Sequence, residues 1–212
     1  MFRILVASAV VLTSGAFAAE SVKKPQAGSV ITITRVFDEL VLFSLPKGFK
    51  PVFENATGNR YIWEAVLAGE NVNKWTQMVT MTGAKGLAGN PEITPQNFAG
   101  KMAGGFQAAC PASFSAKGLG PVKIGTHDAF AAIMSCGTAS QAGTPYSETM
   151  MLLVIKGDVD YYTIQWAERG AVSKTPLNID AAKWSNRFTS LGPVRLCPVV
   201  PGEKAPYPSC LN

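Results

Sequence analysis

Thr149-Met150-Met151-Leu152-Leu153-Val154-Ile155 runs into Lys156-Gly157-Asp158, and Val159 to Ala167 follows. The first segment is apolar without alternation, as a strand buried on both faces must be. Lys156-Gly157-Asp158 has the composition of a turn. The returning segment alternates, with Tyr162, Ile164 and Trp166 on one side. Together the three pieces predict a β-hairpin near the centre of an antiparallel sheet.

The segments before the hairpin have the same texture. Ser29-Val30-Ile31-Thr32-Ile33-Thr34 is dense in β-branched residues, which fit a pleated surface. Glu39 to Leu45 is a second apolar run, stopped by Pro46-Lys47-Gly48. Asn59 to Leu67 alternates, with Tyr61, Trp63, Ala65 and Leu67 on one face and Ile62, Glu64 and Val66 on the other. Trp75 to Thr82 places Trp75, Val79 and Met81 opposite Thr76, Thr80 and Thr82. Ala112 to Lys117, Gly120 to Gly125 and Ala129 to Cys136 read as further strands, with helix as the alternative for the last.

Two helices interrupt the strands. Thr94-Pro95 supplies an N-cap and a first helical residue. Phe98, Met102 and Phe106 then form one stripe. Gly100, Gly104 and Gly105 weaken this helix by about 1 kcal/mol each relative to alanine. The Gly100-x-x-x-Gly104 spacing predicts close approach by another element. Asn178 or Asp180 caps the second helix. Its inner stripe is Ala181, Trp184, Phe188 and Leu191, with Lys183 and Arg187 on the far side and Gly192-Pro193 as the stop. The expected fold class is α+β: a mostly antiparallel sheet with two main helices packed on one face, stabilised by disulfides.

The N-terminus sets the compartment. Arg3 precedes an apolar run, Ile4 to Leu12, and small residues lead to Ala16-Phe17-Ala18-Ala19. This is the pattern of a secretory signal peptide over residues 1–19, cleaved after Ala18 or Ala19. The run is too short to span a bilayer, which takes about 20 residues, and no cysteine follows it to carry a lipid. The expected organisation is a flexible leader over 20–28, a single α+β domain over 29–196 and a Pro-rich, Cys-bracketed tail over 197–212. A periplasmic or secreted protein, not membrane-spanning after cleavage, is implied. The formal net charge of +5 is scattered, with Lys23-Lys24 the one adjacent pair, so no nucleic-acid surface is indicated.

An exported chain meets an oxidising environment. Its four cysteines, Cys110, Cys136, Cys197 and Cys210, allow three pairings. Cys110–Cys136 with Cys197–Cys210 is favoured, because the second pair brackets a proline-rich stretch that needs a crosslink to hold it. A zinc site on these cysteines is disfavoured. There is no C-x-x-C, and the single histidine, His127, lies at no ligand spacing from any cysteine.

Three features resemble the PsbP/Mog1-like fold, which includes small exported bacterial proteins of uncharacterised function. A strand enters a Pro-x-Gly-aromatic turn, Leu45-Pro46-Lys47-Gly48-Phe49. A long antiparallel hairpin comes late, Thr149 to Ala167. A closing helix carries Trp184 and Phe188 toward the sheet. The resemblance covers most of the mature chain in order. It implies a binding or accessory role rather than an enzyme. The Cys-bracketed tail departs from the family pattern.

Catalytic patterns are missing from the sequence. There is no G-x-S-x-G. His127 and Asp128 are neighbours, so on a strand they face opposite ways, and the odd separation of His127 from Cys136 does the same. Glu64, Glu70, Asp158, Asp160 and Glu168 are the carboxylates available for acid–base work. None is visibly set in an apolar site. Gly83-Ala84-Lys85-Gly86-Leu87-Ala88-Gly89 lacks a phosphate-loop register and reads as a mobile connection. Tyr61, Trp63, Trp75, Tyr161, Tyr162 and Trp166 read first as core aromatics.

No catalytic residue, cofactor or metal ligand is assigned. Tyr146 and Tyr207, read as loop residues, with Lys85 and Trp63, form the expected partner surface. Loop 83–97 and the crosslinked tail are its variable parts. The function these observations favour is an exported, non-catalytic binding or accessory module for another protein or envelope component. A hydrolase using an unrecognised carboxylate or His127, and a small-ligand carrier, are the alternatives.

Overall fold

The computed structural model describes residues 28–141 and 143–211. The expected signal peptide and nearly all of the expected leader lie outside them. The described chain forms ten strands and two helices: β1 Val30–Val36, β2 Glu39–Leu45, β3 Phe49–Thr57, β4 Arg60–Leu67, β5 Gln77–Ala84, α1 Pro95–Ala109, β6 Phe114–Ile124, β7 His127–Gln141, β8 Thr144–Lys156, β9 Tyr161–Gly170, α2 Ala181–Ser190 and β10 Arg195–Pro198. A 3-10 turn, Pro208–Cys210, closes the tail. Seven strands form one sheet in the order β3-β4-β5-β9-β8-β7-β6, and three form a second in the order β1-β2-β10. The pairings between these strands are antiparallel.

The β8–β9 hairpin sits inside the large sheet as its composition predicts, with Ile155 opposite Tyr162 and Leu153 opposite Ile164. Alternation divides β8 between two cores. Met151, Leu153 and Ile155 meet Val41, Phe43, Trp63 and Trp184 on one side. Met150, Leu152 and Val154 meet Met78, Met134 and the Phe98, Met102 and Phe106 stripe of α1 on the other. A strand apolar on both faces needs cover on both. The two helices therefore lie on opposite faces of the large sheet, and the expectation of two helices on one face is corrected. The small sheet shares the α2 side, so the molecule has three layers. Tyr161 and Tyr162 are both fully buried, one on each side.

The glycine-rich segment after β5 is anchored rather than mobile. Gly86 donates its N–H to the buried Asp160 carboxylate at 2.7 Å, Ala88 N–H donates to the Val159 carbonyl at 3.0 Å, and the Tyr161 hydroxyl donates to the Ile93 carbonyl. The two short strands expected over 112–125 are one strand, β6, bulged between Gly118 and Gly120. The tail also departs from expectation. Cys197 and Pro198 belong to β10, paired with Leu40 and Glu39. Pro198 stands at the strand's end, where proline is tolerated.

Candidate functional site

The α1 side of the large sheet is only partly covered. The helix lies over β6, β7 and β8, and the same face of β4, β5 and β9 stays open. Register fixes what that face shows. Ile62, Thr82 and Thr163 form one cross-strand row. Glu64, Thr80 and Gln165 form the next, and Val66, Met78 and Ala167 the third. Apart from the buried Val66 and Thr163, these rows floor an open groove of about 610 Å³, walled by Phe53, Trp75, Tyr146 and Arg169. That size suits a small ligand.

Arg169 organises one end. Its guanidinium lies 3.6 Å from the Trp75 ring centre and 3.9 Å from that of Tyr146. Its Nη2 donates to the Tyr146 hydroxyl at 2.9 Å, and its Nε donates to a Glu148 carboxylate oxygen at 3.3 Å. A planar cation held between two aromatic faces and a carboxylate is a preorganised wall. Burial pushes the Glu148 carboxyl above the usual range, and Arg169 pulls against it.

Glu64 has no such partner. Burial alone pushes its carboxyl above the usual range, and no hydrogen bond or ion pair from the described residues reaches it. Gln141 Oε1, in the same groove, is also buried and unpaired. The groove therefore offers acceptors waiting for donors. Glu64 and Glu148 cannot act as an acid–base pair on one bond. They stand three strand spacings apart across the sheet, about 14 Å, and are further offset along the strands, well beyond the separation that glycosidic cleavage uses.

The expected partner residues do not converge. Tyr146 is in β8 rather than a loop, and its ring lines the groove. Trp63 is 5% exposed and packs edge-to-face on Phe43. It belongs to the core between the sheets, so it is removed from any partner surface. Tyr207 packs against Leu40 and Leu42 on the outer side of the small sheet. Lys85 lies over the Phe37 ring at 5.7 Å. The cysteines pair as favoured, Cys110 with Cys136 and Cys197 with Cys210, and no free cysteine remains. Both disulfides fit an oxidising, extracytoplasmic compartment. Among the described residues, no helix is long and apolar enough to cross a membrane.

The other carboxylates have structural tasks. Glu70 holds the Thr76 amide and hydroxyl, Asp160 binds Gly86 and Tyr162, and Glu168 binds Lys183 and Arg187. His127 and Asp128 do face opposite ways: His127 approaches Asp158, while Asp128 pairs with Lys123 in solvent. Sequence reasoning missed Arg169 and Glu148, and it weighed Trp75 as a ligand-surface aromatic but read it first as core. A signal was present for Arg169. On β9, Thr163, Gln165 and Arg169 share a register side that also carries Tyr161 and Ala167, a polar row on a strand whose other side is apolar from Tyr162 to Trp166.

No family model matches this chain, and no curated protein matches it. Two of the solved structures that match are similar to this chain in part. One, from Bacteroides thetaiotaomicron VPI-5482, is 15% identical with a TM-score of 0.38, covering 77% of this chain and 47% of its own. This chain thus spans about half the length of that structure. The other is LpqN, involved in cell envelope biogenesis of Mycobacterium tuberculosis, at 12% identity and a TM-score of 0.38, covering 80% of this chain and 92% of its own. At those TM-scores neither likeness carries a functional inference.

Proposed function

We propose that this protein is an exported, non-catalytic binding module, and that its ligand sits in the open groove between β4 and β9. The unpaired, partly buried Glu64 carboxylate at the centre of the floor carries this reading. A solvated sheet face needs no aromatic walls and no stacked arginine. This one has both, and its free groups are acceptors. The ligand that fits is rich in O–H or N–H donors, as envelope saccharides and amine-bearing peptides are. The PsbP/Mog1-like order of elements is retained as the family proposal, and an accessory envelope role is consistent with it.

A thermal-shift panel of envelope saccharides, muropeptides and polyamines tests the site. A true ligand at 100 times its Kd adds about 2.7 kcal/mol to the stability of the wild type. The shift is expected to shrink in Glu64→Ala. No shift with any panel member, or an equal shift in the variant, removes the groove as the binding site.

A further inference from the structure

We infer that Glu39, His127 and Asp158 form a binding site for one divalent transition ion of the zinc class. The three residues are far apart in sequence and meet at one end of the core. Glu39 opens β2, His127 opens β7 and Asp158 lies in the turn between β8 and β9. One potential ligand atom from each lies within 4.8 Å of the other two. His127 Nδ1 stands 3.8 Å from Asp158 Oδ1. A tetrahedral zinc ion with bonds of about 2.0–2.1 Å holds its ligand atoms about 3.3–3.4 Å apart. The side chains need only close slightly to reach that geometry.

Glu39 supplies an independent observation. It is 5% exposed, and its Oε2 is buried with no hydrogen-bond partner. Its Oε1 receives a long bond from the Asp158 amide, 3.4 Å, and the Tyr162 hydroxyl lies close to the same carboxylate. A buried carboxylate oxygen without a partner calls for an explanation. A cation held jointly with His127 and Asp158 would satisfy it.

Gly157 makes room for this carboxylate. A Cβ at that position would lie 2.0 Å from Glu39 Oε2. Gly157 is not among the glycines with positive φ, so space rather than backbone freedom requires it. One imidazole nitrogen and two carboxylate oxygens suit zinc and its neighbours. Calcium instead takes six to eight oxygens. Three protein ligands leave a fourth position for water or for a side chain of another molecule. Glu39 comes from the small sheet and the other two ligands from the large one, so the ion would fasten the two sheets together.

The test is a calorimetric titration of the oxidised, EDTA-stripped mature chain with zinc chloride. One equivalent is expected to bind, and Tm should rise by about 5–10 °C at 100 times Kd. His127→Ala and Asp158→Ala should each weaken binding at least about tenfold. The Asp158 side chain is 84% exposed, so its removal leaves the fold intact, which circular dichroism checks. Asp128→Ala, on the opposite face of β7, should bind as the wild type does. No uptake below about 100 μM zinc, or equal uptake by the wild type and Asp158→Ala, overturns the site. A crystal structure with a water bonded to Glu39 Oε2 after growth in excess zinc would also overturn it.

Discussion

Glu64 and Arg169 stand on the same open sheet face and show opposite ways of keeping a charge there. Arg169 is stacked and paired, whereas Glu64 is desolvated with nothing in return. A carboxyl whose folded pKa lies above its unfolded value binds a proton more tightly in the native state. Its contribution to stability is complete below pH 4.5, and is lost as pH rises through the raised folded value. Glu64→Gln keeps the shape and removes the charge. Its urea midpoint is expected to exceed that of the wild type at neutral pH and to match it near about pH 4. Equal midpoints at both values would mean that the carboxylate is solvated and not held in reserve. The strand alternation Tyr61-Trp63-Ala65 against Ile62-Glu64-Val66 could be read directly, so Glu64 was placed on the correct face from sequence. Its isolation could not be read, because the residues paired with it, Phe53 and Thr80, come from β3 and β5. Trp75 was misplaced for a local reason. It precedes β5, after the Asn71–Lys74 bridge, and so does not follow the strand's alternation. It joins Met78 instead of Val79 and Met81.

At the scale of elements, α1 is well started and poorly filled. Thr94 caps it, accepting the Asn97 amide at 3.1 Å, and Phe98 stacks on Tyr161 with ring centres 5.4 Å apart. Its cap and stripe were legible because both are local patterns. The purpose assigned to its glycines was wrong. A Cβ at Gly100, Gly104 or Gly105 would meet nothing within 4 Å, so no element approaches there. None of the three has positive φ. Alanine at all three should stabilise the protein by about 1.5–3 kcal/mol, from lower unfolded-state entropy and better helix propensity. Urea unfolding of the triple variant measures this, and a loss of stability would show that the glycines are needed for packing. In α2, Asp180 is the cap, accepting the Lys183 amide at 3.0 Å. Lys183 is exposed as expected of the far side, whereas Arg187 is mostly covered. Both bind Glu168, and Arg187 lies over the Trp166 and Trp184 rings at 5.0 and 4.5 Å. Burial pushes the Glu168 carboxyl up, but the bonds from Lys183 and Arg187 outweigh it and leave it below the usual range. Helix periodicity shows which residues share a face. It does not show that the β9 strand facing it carries a carboxylate.

For the whole molecule, the decisive fact is that the C-terminus completes a layer. Proline density from Cys197 onward suggested a tail outside the domain. Instead β10 pairs with β2 on the side opposite β1, and Val194 and Leu196 pack into the core between the sheets. Beyond β10, Val199, Tyr207 and Cys210 cover Leu40 and Leu42, which are at most 2% exposed. The Cys197–Cys210 disulfide holds this cover in place. Long-range pairing of this kind leaves no periodic mark on a four-residue strand, so the sequence could not reveal it. Deleting residues 193–212 would strip one edge of β2 and bare both leucines. Those two side chains alone are worth about 3–6 kcal/mol of burial, a large share of the roughly 5–15 kcal/mol that holds a domain folded. An unpaired apolar strand edge also invites association. The truncated chain is expected to aggregate or elute as large oligomers in size-exclusion chromatography. A monomer with the Tm of the full chain would show that the small sheet stands without its third strand, and that the last twenty residues are the appendage their composition suggested.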